Sequence, residues 1–98
     1  MSEHSLFIAL VTIELMIPYA HSLKDRRSAV RGIKDRIRSK FNASVAEVGY
    51  QDKWQRAASA VCMVGSDKRQ LESDTDRMRT LCEEATDVEI AAINVEWL

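Results

Sequence analysis

Hydrophobic positions follow two different periods along this chain, and the changes of period divide it into six segments. The first segment, residues 6–17, is apolar at every position except Thr12 and Glu14. A short run with two apolar faces is typical of a β-strand covered on both sides. Pro18 ends the strand, because proline cannot donate a hydrogen bond to a sheet.

Two segments instead repeat their apolar residues at helical spacing. The first begins at Ser22, a good N-cap whose hydroxyl suits the backbone N–H of Asp25. The second begins at Ser66 or Asp67. The predicted inner stripes are Leu23, Val30, Ile33, Ile37 and Phe41 in the first helix, and Leu71, Met78, Leu81, Cys82 and Ala85 in the second.

The remaining segments predict three more strands, at residues 43–49, 57–64 and 88–98, with a polar hairpin connection before the second of them. The last strand shows one apolar face, formed by Ala91, Ile93, Val95 and Trp97. With right-handed crossovers, the order β-α-β-β-α-β predicts a ferredoxin-like α+β fold. We therefore expect residues 1–98 to form a single domain, a four-stranded antiparallel sheet with both helices on one face.

This topology places the first strand and residues 57–64 at the centre of the sheet. Ile8, Leu10 and Met16 then face away from the helices, beside the small residues of the third strand. A large exposed apolar patch usually marks an interface. We therefore expect a homodimer formed through the sheet.

Composition sets broad limits on the class of protein. The 98 residues are 46% hydrophobic and 30% charged, as in an ordinary soluble domain. Residues 6–17 are too few to span a bilayer, and the chain opens with Glu3 rather than a basic signal region. We expect a cytoplasmic protein with no membrane association.

The two cysteines, Cys62 and Cys82, form no Cys-x-x-Cys pair. Without clustered ligands the sequence predicts neither a metal site nor a cofactor. Free cysteine is often buried, and we expect both thiols to be small buried side chains.

Charge is distributed very unevenly. Residues 22–41 contain eight basic and two acidic residues, whereas the whole chain has a net charge of −1. At about 100° per residue, five of the basic residues fall within a sector of about 80° and extend over about 21 Å. These five residues, here called the basic ridge, are Lys24, Arg27, Arg31, Lys34 and Arg38.

The basic ridge predicts a polyanionic partner. A line of Lys and Arg matches a run of phosphates, and arginine binds phosphate with a planar fork. A pI near 6.1 argues against a dedicated duplex-DNA protein. Residues 57–64 contain no aromatic residue on which bases could stack, which favours contact with structured RNA through backbone charge. The alternative is a solvated helix face whose cations pair with carboxylates.

Three other residues have two interpretations each. His21 precedes a helix N-terminus, where a general base could act on a phosphorylated metabolite, but no nucleophile with a third partner accompanies it. We therefore expect no catalytic residue and no enzyme activity. Trp54 and Arg56 are an anchor pair of the kind found at interface hot spots, or Trp54 is a lid over the edge of the core.

Several stretches resemble the YlxP-like family of small bacterial proteins. They are Ile17-Pro18…His21-Ser22-Leu23-Lys24-Asp25-Arg26-Arg27-Ser28, Phe41-Asn42…Ser44-Val45-Ala46-Glu47-Val48, Gln51-Asp52…Trp54-Gln55-Arg56-Ala57 and Val64-Gly65-Ser66-Asp67. The resemblance covers almost the whole chain. It implies a ferredoxin-like fold, no known catalytic activity and no catalytic residues to transfer. Genes of this family often lie among those for translation initiation and ribosome maturation, which implies a ribosomal or RNA partner.

We therefore predict a non-catalytic protein that binds ribosomal or other structured RNA through its first helix. The rival hypothesis is a homo-oligomeric protein-interaction module that uses the apolar sheet face and binds no nucleic acid.

Overall fold

The computed structural model describes residues 3–98, and it confirms the predicted order of elements and the ferredoxin-like fold. Every strand bound lies within one residue of its predicted position. The elements are β1 (Phe7–Met16), α1 (Leu23–Lys40), β2 (Ala43–Gly49), β3 (Arg56–Gly65), α2 (Lys68–Glu84) and β4 (Glu89–Trp97).

The four strands form one antiparallel sheet in the order β2-β3-β1-β4, so β1 and β3 are central as predicted. Val11 of β1 lies opposite Val61 of β3 and Val95 of β4. The register of β4 shifts opposite Glu14 and Leu15. Ala91, predicted on one face with Ile93, Val95 and Trp97, lies at this irregularity, where it has no paired residue in β1 and is exposed.

The core lies between the helices and one face of the sheet, where inward residues of β1 meet buried residues of both helices. All five predicted inner residues of α2 are buried. The stripe of α1 differs in its first turn, because Leu23 is 46% exposed whereas Arg26 is only 5% exposed. Arg26 takes the inward position because three oxygen atoms satisfy its guanidinium group there.

The other face of the sheet is not covered by either helix. Val48 and Val64 are each more than half exposed on it or at its edge. At one end, the Tyr50 hydroxyl donates a 2.8 Å hydrogen bond to Glu14, and this bond raises the pKa of Tyr50. The Arg56 guanidinium stacks 4.1 Å from the Tyr50 ring centre and lies 3.6 Å from the Glu14 carboxylate.

Only one of the two cysteines has the predicted environment. Cys82 is fully buried, and its burial raises the pKa of the thiol to about 11. Cys62 is exposed, contrary to prediction, because it points to the uncovered face from β3, opposite Leu10 and Ser44.

This difference predicts two rates of alkylation. At about pH 8 one thiol of the native protein should react quickly, because only thiolates are nucleophilic and the Cys82 thiol is both buried and protonated. The second thiol should react only after unfolding. A Cys62→Ser variant should lose the fast phase. Two equally fast thiols in the native wild-type protein would contradict the structure.

The described residues also limit two other kinds of site. No helix within residues 3–98 is long and apolar enough to cross a bilayer. The same residues contain no group of three or more His, Cys, Asp or Glu side chains placed to hold a metal ion.

Candidate functional site

The position of the basic ridge is fixed by the N-terminus of α1. The Ser22 hydroxyl accepts a 3.1 Å hydrogen bond from the Asp25 backbone N–H, as predicted. The Asp25 carboxylate in turn accepts a 3.1 Å hydrogen bond from the His21 backbone N–H. This reciprocal cap sets the first turn of the helix and therefore the direction in which the ridge points.

The ridge is accessible along its length. Lys34 is partly buried, whereas the other four members are exposed. The ion pairs of residues 3–98 are Arg26–Glu47, Arg56–Glu14 and Arg77–Asp74. Among the described residues, then, no carboxylate forms an ion pair with any member of the ridge. Of the five ridge side chains, only that of Arg38 forms a hydrogen bond with another residue of the described range, from Nη2 to the Val45 carbonyl at 3.3 Å.

Arg26 belongs to the same helix but plays a different part. Its Nε donates to the Arg56 carbonyl at 3.0 Å, and its Nη2 donates to the Tyr50 carbonyl at 2.9 Å. Nη2 also forms an ion pair with Glu47 Oε1. Arg26 thereby joins α1 to β2 and to both ends of the loop between β2 and β3.

The position of Glu47 in the sequence is a signal for this pair. Glu47 alternates with Ala43 and Val45, and this spacing places it on the inner face of β2. A carboxylate on an inner face requires a buried cation or hydrogen-bond donors. Arg26 lies one helical turn after Leu23, at a position that allows it to supply both.

A cleft of about 340 Å³ opens between the ridge and the sheet. Three ridge residues form its rim, namely Arg27, Arg31 and Lys34, and the side chains of Arg26, Glu47 and Ser59 also line it. Ser59 is only 3% exposed. Its hydroxyl forms no hydrogen bond to any residue in the described part of the chain. Leu23 and Val30 add apolar surface to the cleft, which accounts for the exposure of Leu23.

The two residues of the predicted anchor pair lie close together but differ in their contacts. Trp54 is 52% exposed in the connection between β2 and β3, so it does not form a lid over the core. The Arg56 guanidinium is held by Glu14 and Tyr50. Both residues line one groove beside His21. A role for Trp54 and Arg56 at an interface stays a prediction.

Comparisons with known proteins agree on the family and the fold. Residues 8–95 match the family described as "Protein of unknown function (DUF503)". The chain is 33% identical over 90 residues to the "Uncharacterized protein YlxP" of Bacillus subtilis (strain 168), covering 92% of this chain and 98% of that protein.

Two solved structures are similar at 14% sequence identity. The de novo designed protein Foldit4 has a TM-score of 0.55, over 96% of this chain and 97% of the design, which supports the fold alone. A C-terminal segment of the alpha subunit of aIF2 from Pyrococcus abyssi has a TM-score of 0.43, over 96% of this chain and 50% of that one. The second similarity is too distant to carry weight.

Proposed function

Because the chain belongs to the YlxP-like family DUF503, whose function is unknown, we propose that it is a non-catalytic protein that binds ribosomal or other structured RNA. The contact surface is the basic ridge of α1. The observation that carries this proposal is the alignment of five cations that no carboxylate of residues 3–98 neutralises.

A row of unpaired cations favours a partner with a row of negative charges. Each phosphate that a Lys or Arg neutralises releases condensed counterions, and this release drives association. The three arginines of the ridge add bidentate hydrogen bonding to phosphate oxygens. The acidic remainder of the chain restricts the contact to the side on which the ridge lies, which suits a compact RNA better than a long duplex.

The sheet itself is poorly suited to binding bases. RNA-recognition domains of related topology stack bases on aromatic residues of their central strands. In this protein β3 has no aromatic residue. The aromatic residue of β1, Phe7, packs against the core. Recognition by α1 is therefore the version of RNA binding that the side chains support.

The proposal predicts a steep dependence of RNA affinity on salt. In equilibrium titrations with a structured RNA hairpin, five phosphate contacts give a log–log slope of about −4.5 between affinity and salt concentration. The measurement is fluorescence anisotropy of a labelled hairpin over a range of salt. No binding at low salt, or an affinity that salt does not change, would contradict the proposal.

A second candidate function rests on the uncovered sheet face. Val48, Val64 and Cys62 are exposed there, and such a surface suits a protein partner or a second copy of the chain. A complex recovered from lysate that survives both nuclease and high salt would favour this protein-interaction module over the RNA-binding protein.

A further inference from the structure

The cleft beneath the ridge differs chemically from the ridge itself. Its rim is cationic, whereas its floor contains hydrogen-bonding groups that the fold leaves available. Ser59 is 97% buried there without a hydrogen bond from residues 3–98. Glu47 Oε1 forms an ion pair with Arg26, and Glu47 Oε2 forms no hydrogen bond with any of residues 3–98. Among the described residues, the buried side-chain atom that lacks a hydrogen bond is Glu47 Oε1. A buried polar atom without a hydrogen bond is costly, so this floor is better suited to a ligand than to an empty cleft.

We propose that the cleft receives one nucleotide, with its phosphate on Arg27, Arg31 or Lys34 and its base against Glu47 and Ser59. This inference rests on the proposed function and extends it from the phosphate backbone to a base. The lining of the cleft combines cations, apolar side chains and hydrogen-bonding groups. A nucleotide presents a phosphate, an apolar ring face and a polar ring edge, which match these three kinds of group.

The size of the cleft sets the length of the ligand. About 340 Å³ lies at the lower end of the range for small-molecule sites. The cleft therefore accommodates one nucleotide and excludes a base pair. In an RNA, such a nucleotide must be unpaired, as in a loop or a bulge, where a base is available to leave the stack.

The floor also favours particular bases. A carboxylate only accepts hydrogen bonds, so Glu47 requires a donor on the ligand. Cytosine and adenine each present an exocyclic amine, whereas the corresponding atom of uracil is a carbonyl oxygen. A cytidine should therefore bind more tightly than a uridine at the same position.

The test compares three hairpins that share one loop of abasic nucleotides and whose stems differ at one position: fully paired, with one bulged cytidine, and with one bulged uridine. The cytidine bulge should bind the wild-type protein about tenfold more tightly than either of the others, because one well-formed base contact contributes a factor of about ten. CMP and UMP, titrated in parallel, distinguish a free nucleotide from a nucleotide within RNA.

Two variants isolate the floor from the ridge. In Glu47→Gln the amide oxygen can stay beside Arg26 while its NH₂ donates, so the preference should shift from cytidine towards uridine. Ser59→Val fills the cleft and should remove the preference for a bulge without changing the salt slope. Ser44→Val is the matched control, because Ser44 is exposed on the neighbouring strand and should change neither quantity.

Each outcome decides between the hypotheses. Equal binding of the three hairpins by the wild-type protein, with a steep salt slope, overturns the cleft inference and leaves the ridge proposal intact. Binding of CMP in preference to UMP without binding of any hairpin supports the cleft and overturns the RNA proposal. No binding of hairpins or nucleotides overturns both. A folded Glu47→Gln variant, checked by circular dichroism, that keeps the cytidine preference also overturns the inference.

Discussion

Replacement of Arg26 by alanine is expected to lower the free energy of unfolding by about 3 kcal/mol, although Arg26 is a charged residue on a surface helix. Removing one partner of a buried ion pair leaves the other charge uncompensated, which costs about 3–5 kcal/mol in fully buried pairs. The Glu47 side chain is 26% exposed, so the lower end of this range applies. The Tyr50 and Arg56 carbonyls also lose a donor.

Thermal and urea unfolding followed by circular dichroism measure this effect. In a domain of about 100 residues, 3 kcal/mol corresponds to a fall in Tm of about 15 °C. Arg36→Ala is the matched control, because Arg36 is on the same helix and exposed, and it should change stability by less than about 0.5 kcal/mol. Similar stability of the two variants would show that Arg26 does not join the helix to the sheet.

Replacement of three ridge arginines by glutamine, Arg27→Gln, Arg31→Gln and Arg38→Gln, is expected to affect binding rather than stability. Three phosphate contacts contribute a factor of about 500 to the affinity at about 0.1 M salt, relative to 1 M. The affinity of the triple variant for a structured RNA should therefore be about 500-fold lower than that of the wild-type protein. Because no carboxylate in residues 3–98 pairs with these arginines, the unfolding free energy should change by less than about 1 kcal/mol.

A matched variant removes the same charge elsewhere. Arg36, Arg69 and Arg79 are exposed and lie off the ridge, so their combined replacement by glutamine changes the net charge equally. This control variant should keep most of the affinity. An equal loss in both triple variants would mean that net charge, and not the line along α1, determines binding.

The fold could be predicted from the sequence because each element carried its own local signal. The two apolar faces of residues 6–17 indicated a central strand, and β1 lies between β3 and β4. The prediction that both faces are covered was wrong, because Ile8, Leu10 and Met16 are only partly buried on the face without helices. The Ser22 cap was predicted to the atom, since its geometry depends only on residues within one helical turn. Hydrophobic periodicity and helix caps depend on residues that are close in sequence, so both can be read without knowing the tertiary structure.

The differences arise where contacts between distant segments decide the outcome. Arg26, and not Leu23, occupies the inner position in the first turn of α1. Oxygen atoms of Glu47, Tyr50 and Arg56 surround its guanidinium group there. Cys62 is exposed because it lies opposite Leu10 and Ser44, on the face of β3 that no helix covers.

The candidate site also has one part that is local in sequence and one part that depends on contacts between distant segments. All five ridge residues could be identified from helical spacing alone, since they belong to one helix. The cleft could not, because its floor joins α1 to Glu47 of β2 and Ser59 of β3. Only the register between those two strands, in which Glu47 lies opposite Ser59, places them side by side.

The most direct test of the ridge is the salt dependence of RNA binding, measured side by side for the wild-type protein, the ridge variant and the control variant. The predicted log–log slope is about −4.5 for the wild-type protein and the control variant. With only Lys24 and Lys34 left on the ridge, the slope should be about −2. A common slope for all three proteins would contradict the claim that these five cations meet a polyanion.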